Sequence, residues 1–214
     1  MDNQYNEILN KAINYRRDFH RYPETGWLEF RTTSIIAKVL SQLGYEVLMG
    51  KEIIDEKSVM GRPLETVIKE NIIRAINERA DEEILKKMDC LTGVVGILDT
   101  KNPGPTVAFR FDIDALELEE PEDENHKPYK YGFSSRHKGV MHACGHDGHA
   151  AMGLVFAEYL SKAKEELKGK VVLIFQPAEE GVRGAKAMVK KGVVDDVDYF
   201  FAMHIGFGST KDIG

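Results

Sequence analysis

An α/β fold with a largely parallel sheet is what this sequence predicts, and three observations predict it. GVVGILD at 93–99, TVAFRFD at 106–112, KVVLIF at 170–175 and YFFAMH at 199–204 are short β-branched and aromatic runs of the kind that form buried strands. Apolar residues at helical spacing fill the intervals between the second and third runs and between the third and fourth. Strands that alternate with crossover helices give a sheet covered by helices.

The elements follow in order. Tyr5, Ile8, Leu9, Ala12, Tyr15 and Phe19 recur at three- and four-residue spacing and predict an N-terminal helix, which runs into HRYPETG, where Pro23 and Gly26 mark a loop. Ile35, Ile36, Val39, Leu40 and Leu43 form one face of a second helix, with Gly44 at its C-terminal cap, and YEVLM is a short strand after it. From about 51 to 90 charges are dense, and Ile68, Ile72, Ile76, Ala80 and Ile84 repeat every four residues. That pattern predicts a helical excursion whose single apolar stripe packs on the main body. Met152, Val155, Phe156, Tyr159, Leu160 and Ala163 predict the apolar face of a later helix, and GAKAMVKKG a further one closed by Gly192.

Composition narrows the function. The 214 residues suffice for a full core, and 43% hydrophobic with 30% charged residues is ordinary for a globular protein. A net charge of −6 argues against a nucleic-acid surface. The polar start MDNQYNEILN is neither a signal nor a transit peptide, and no apolar run reaches the roughly 18 residues of a membrane span. Two cysteines give no disulfide framework. The expectation is a cytoplasmic protein with reduced thiols, in which Cys90 is a small structural residue.

The chemistry concentrates at 140–151, VMHACGHDGHAA, and at the ends of three strands, FRFDIDAL, FQPAEEG and AMHIG. In open α/β sheets, sites gather just beyond the carboxyl ends of strands, so these stretches point to one crevice. Cys144 and His146 flank a glycine that lets the backbone aim both at one point. Asp147 is placed to cap the next helix or to orient a histidine ligand. Alone, Cys144 would read as a small buried residue and His146 as a surface polar group. Glu179 and Glu180 change that, because of two adjacent glutamates one can bind metal while its neighbour holds the attacking water. With His204 at the next strand end, Cys144, His146 and Glu180 make one thiolate, two imidazoles and one carboxylate. That set suits zinc or manganese, and a thiolate can bridge two such ions. Of Asp112 and Asp114 at the strand end, only one is expected to reach the crevice, and Asp114 is the expected supporting carboxylate.

Other motifs fail. GFGSTK lacks the Gly-Lys-Ser/Thr ending of a phosphate loop. Neither the zinc-deaminase signature nor a Gly-x-Ser-x-Gly elbow occurs.

RFDIDAL, MHACGHDGH, FQPAEEG and HIG, in this order and spacing, resemble the carboxypeptidase- and aminoacylase-like metallo-amidohydrolases that cleave N-acyl amino acids. RRDFHRYPETGWLEFRT, MGRP and GVVDDVDYF extend the resemblance over essentially the whole chain. It implies a partial three-layer α/β/α metallopeptidase catalytic domain with a mostly parallel mixed sheet. Residues 1–214 would be its N-terminal part, lacking the lid and dimerisation domain and the C-terminal part. Cys144, His146, Glu180 and His204 are the implied ligands of two divalent ions, manganese or zinc, with Glu179 as general base beside Asp114. The implied substrate is a small N-acyl amino acid, p-aminobenzoyl-glutamate above all, and the implied partner a homologous subunit of the intact enzyme, with no membrane or nucleic acid involved. A chain that stops ten residues after His204 would be incomplete and inactive alone. The rival reading is a non-catalytic remnant or subunit that keeps half of a metal site.

Overall fold

The computed structural model describes residues 2–206. Seven helices are present among them: α1 (Asp2–Arg21), α2 (Phe30–Gln42), α3 (Glu65–Asn77), α4 (Glu82–Lys87), α5 (Lys127–Lys130), α6 (His146–Lys162) and α7 (Ala185–Lys190). Five strands, β1 (Glu46–Met49), β2 (Val94–Asp99), β3 (Thr106–Asp112), β4 (Lys170–Gln176) and β5 (Tyr199–Ala202), form one sheet in the order β1-β2-β4-β3-β5. The side chain of Tyr5 and the GFGSTK stretch after Gly206 lie outside the described residues.

The sheet is mixed. β4, β3 and β5 run parallel, whereas β1 and β2 are antiparallel to each other and β2 is antiparallel to β4. It is thus less parallel than strand–helix alternation alone predicts, because β1 and β2 are joined by the 50–93 excursion and not by a simple crossover. In the parallel half, α6 links β3 to β4 on one face, and α7 links β4 to β5 on the other. β3 therefore has neighbours reached by crossovers in opposite directions, and the carboxyl ends of β3, β4 and β5 share one edge of the sheet. This is where an α/β sheet opens a crevice.

Alternation along the strands feeds two cores. Val94, Leu98, Phe111, Val171, Leu173 and Phe175 point to the side of α1, α2 and α6, and Val95, Ala108, Val172 and Ile174 to the side of α7. Gly44 does end α2, with φ +83°, and allows the turn into β1. Within the excursion the four-residue repeat does not sit on one continuous helix. Arg79, at φ +73°, breaks it between α3 and α4. Ile68 and Ala80 of the expected stripe are buried and Ile72 and Ile84 pack partly on the same core, joined by Ala75, while Ile76 is exposed.

Helix α6 differs more from expectation. Met152 and Tyr159 are 40% and 56% exposed, and the buried face is Ala150, Gly153, Leu154, Ala157 and Leu160. The reason lies in the sheet beneath, where Phe111 and Phe175 stack with ring centroids 5.4 Å apart. A Cβ at 153 would stand 2.6 Å from Phe175 and 3.0 Å from Phe111. Only a small-residue face lets the helix approach this pair of rings. β5 is the least covered element, with Tyr199, Phe200 and Phe201 each about half exposed and Phe201 stacked on Phe109.

The contact at Gly153 gives a test. Gly153→Val should overpack the helix–sheet seam and cost about 1–3 kcal/mol or more of stability, whereas Met152→Ala should stay within about 0.5 kcal/mol. Urea unfolding midpoints of the two variants check this, and the reverse ranking would contradict the packing described.

Candidate metal centre

The crevice is assembled from loops at the shared sheet edge. β3 delivers Asp112 and, two residues beyond, Asp114; the turn at Gly145 (φ +89°) delivers Cys144 and His146 at the start of α6; β4 leads into Glu179 and Glu180; β5 leads into His204. Asp112, Asp114, His146 and His149 are all essentially buried.

Cys144, His146 and Glu180 offer ligand-type atoms that lie within 4.8 Å of one another. His204 joins them, its Nε2 standing 3.5 Å from Cys144 Sγ and 3.2 Å from His146 Nε2. Glu179 reaches the same place, with Oε2 3.8 Å from His146 Nε2. All the residues expected from the sequence therefore face one another.

The two imidazoles are held in a telling way. His146 Nδ1 lies 2.9 Å from the Asp114 carbonyl oxygen, and His204 Nδ1 lies 2.8 Å from that of Ile205. A ring nitrogen against a carbonyl oxygen must carry its proton. In the neutral rings both Nε2 atoms then present lone pairs to each other across 3.2 Å. Glu180 Oε1 is also buried without a hydrogen-bond partner among the described residues. A cation between these atoms would resolve both conflicts, so the donor set fits a metal.

Asp112 corrects the sequence reading. The expectation is that one aspartate reaches the crevice, yet both do: Asp112 Oδ2 is 4.0 Å from His146 Nε2, and Asp114 Oδ1 is 3.3 Å from His146 Nδ1. Residues two apart along a strand share a face, so alternation itself places the two carboxylates together. His149 was not singled out either. Its Nε2 accepts the Ile205 N–H at 3.0 Å, and its ring lies 4.7 Å from that of His204. With Asp112, His146 and His204 it forms a second group of close ligand-type atoms. The signal was available, since His146 and His149 are three apart on a helix and so share a face. Asp147 neither caps α6 through a remote N–H nor holds His146. It accepts from the adjacent Gly148 N–H and pairs with His20 Nδ1 at 2.8 Å and with Arg16. Cys90 lies away from the site, packed against the larger core.

The Glu179–Glu180 turn is strained. Ala178 and Val182 flank it with φ of +50° and +59°, a region that costs a non-glycine residue about 1 kcal/mol or more. Two carboxylates hold it. Glu29 accepts the Ala178 N–H at 2.8 Å, and Asp114 Oδ2 accepts the Glu180 N–H at 2.9 Å.

Burial and crowding set the protonation states. Burial, then the nearby Glu180, pushes the Cys144 thiol up to about 11. Burial and then Asp112 raise Glu179. At His146 burial works against the charged form, but Asp114 outweighs it and raises the pKa. His142, buried with neither ring nitrogen hydrogen-bonded, is driven by that burial down to about 4.

Comparison with known proteins places this geometry. Residues 108–214 match the model of peptidase family M20/M25/M40. A p-aminobenzoyl-glutamate hydrolase subunit of Escherichia coli is 50% identical over 208 residues, which is 96% of this chain and 48% of that protein. Among solved structures, an aminobenzoyl-glutamate utilization protein from Klebsiella pneumoniae superposes with a TM-score of 0.81 at 43% identity, covering 98% of this chain and 47% of that one. A Bacillus subtilis dinuclear metal-binding peptidase of family M20 gives a TM-score of 0.69 at 31% identity, covering 93% and 43%. The chain belongs to peptidase family M20/M25/M40. It spans about half the length of the relatives it matches.

Glu29 yields a test of the electrostatics. Its carboxyl is raised from an ordinary 4.5 to about 8, by burial first and by Asp114 second. An acid raised in this way contributes fully below 4.5 and loses its contribution as pH climbs toward about 8. Glu29→Gln keeps an acceptor for the Ala178 N–H and should flatten that part of the metal-free chain's pH dependence. Urea midpoints between about pH 5 and 8 decide it, and an unchanged slope would remove Glu29 as the source.

Proposed function

We propose that this chain is the N-terminal part of a metallohydrolase catalytic domain, with the 51–90 segment as a helical excursion from it, and that the complete domain hydrolyses N-acyl amino acids. p-Aminobenzoyl-glutamate, the substrate in the name of the Escherichia coli relative, is the proposed one. Release of p-aminobenzoate and glutamate is a step of folate breakdown. The observation that carries the reading is the pair of bare imidazole nitrogens 3.2 Å apart, beside a thiol and an unpartnered carboxylate.

Cys144, His146, Glu180 and His204 would hold the metal, as one or two ions of manganese or zinc; the Bacillus subtilis relative is described as dinuclear. Such ions polarise an amide carbonyl and make water acidic enough to attack it. Asp114 fixes the ring of His146 through its carbonyl and carboxylate, and holds the backbone of Glu180 through its carboxylate. Glu179 is the proposed base. Its carboxyl is half-buried and raised, which suits a group that takes a proton from water and returns it to the leaving nitrogen. The Escherichia coli relative is named as one subunit of its hydrolase, which supports assembly with a homologous partner. Both cysteines are free and no described helix is long and apolar enough to cross a membrane, which supports a cytoplasmic location.

Two outcomes are expected. The purified chain should retain zinc or manganese by elemental analysis, and Cys144→Ser should lower that content; no metal after reconstitution at neutral pH would count against the centre. Joined to the C-terminal half of the Escherichia coli relative, the chain should cleave p-aminobenzoyl-glutamate. There Glu179→Gln should abolish turnover while leaving metal bound, and equal activity with glutamine at 179 would remove the base assignment.

A further inference from the structure

Beside the candidate metal centre lies a cleft of about 480 Å³, lined by Glu180 and Arg183 and walled with apolar groups of Leu28, Pro63, Val67 and Leu116. Arg183 is its only cationic lining residue among the described residues. Its side chain is threaded through a slot that exists because three neighbours lack a side chain. A Cβ on Gly26 would come within 2.5 Å of Arg183 Nη2, one on Gly61 within 2.7 Å of its Cδ, and one on Gly181 within 3.5 Å of its Nε. Nε donates to the Glu180 carbonyl oxygen at 2.9 Å, which ties the guanidinium to the backbone of a proposed metal ligand.

Among the described residues the guanidinium makes no other hydrogen bond. Among the described residues no carboxylate forms an ion pair with Arg183, although Glu117 and Glu180 line the same cleft. A half-buried guanidinium that lines a cleft, with Nε fixed and no carboxylate partner, is a preorganised fork for a planar anion.

We infer that Arg183 binds a carboxylate of the substrate's amino-acid half. The inference rests on the hydrolase reading above, since it is the scissile amide that would place the amino acid beside Glu180. An acidic substrate offers its α-carboxylate or its side-chain carboxylate, and both present the same chemistry to the fork. A purely mechanical role, as a strut between the Gly61 and Glu180 segments, would make Arg183 indifferent to what the ligand carries.

Calorimetry or NMR titration of the metal-loaded 214-residue chain separates these cases. N-benzoylglutamate carries both carboxylates, N-benzoylglutamine only the α-carboxylate, 4-benzamidobutanoate only the distal one, and N-benzylbenzamide none. Arg183→Gln should weaken N-benzoylglutamate by roughly tenfold or more, as expected for a lost charge-assisted pair. Arg183→Lys, which keeps the charge without the fork, should fall between. Whichever monoacid shares the loss identifies the carboxylate that is read, and N-benzylbenzamide should bind wild type and variant alike. Unchanged affinity for N-benzoylglutamate in Arg183→Gln, with metal still retained, overturns this inference and leaves the hydrolase reading standing. An equal loss for the neutral amide overturns it in favour of the strut. Failure of the wild-type chain to bind any of the four overturns it as well, whereas failure to retain metal would strike at the hydrolase reading itself.

Discussion

Asp114 ties three separate pieces of chain together. Its carbonyl faces His146 Nδ1 at the start of α6, its Oδ2 accepts the backbone N–H of Glu180 after β4, and it follows directly from the end of β3. Without its carboxylate the strained turn at 178–182 would lose one of its two anchors, and the His146 ring an acceptor 3.3 Å from Nδ1. The other features of the crevice are arranged around this one residue. Glu29 supplies the second anchor, and Thr92 in turn donates to Glu29 at 2.6 Å.

Such an arrangement has an electrostatic cost. Asp112, Asp114, Glu29, Glu179 and Glu180 crowd one edge of the sheet, three of them fully buried, and among the described residues Arg110 is the only guanidinium that pairs directly with any of the five. Burial of like charges without partners opposes folding. The crowding shows in the raised pKa of Glu29, Glu179 and Cys144, each pushed toward its neutral form. A cation at this edge would offset that cost, since it favours the charged form of each acid.

Much of this was legible in the amino-acid sequence. The strands are read directly from β-branched and aromatic runs, because β4 is buried on both faces and so cannot hide its character. The convergence of Cys144, His146, Glu180 and His204 follows from the rule that sites lie beyond strand ends. What escaped depends on neighbours that a one-dimensional pattern does not contain. The buried face of α6 is set by the rings of Phe111 and Phe175, so the most apolar stripe of the helix is not the one that packs. The placement of Asp112 was within reach of the sequence as well, since residues two apart along a strand share a face. In the excursion, Arg79 adopts a left-handed conformation that no periodicity announces, and the repeat is split between two helices.

The pairing of β5 has a consequence for how reliably the crevice forms. β5 meets β3 through four residue pairs, from Val107 opposite Tyr199 to Arg110 opposite Ala202, and its outer edge has no neighbouring strand among those described. A slip of one residue along β3 would turn every side chain of β5 to the opposite face. Met203 or Ile205 would then take the position of His204, and a thioether or a hydrocarbon would face Cys144. The backbone N–H of Ile205, donated to His149, fixes the chain just beyond His204. His149 therefore ties down the segment that carries the last imidazole.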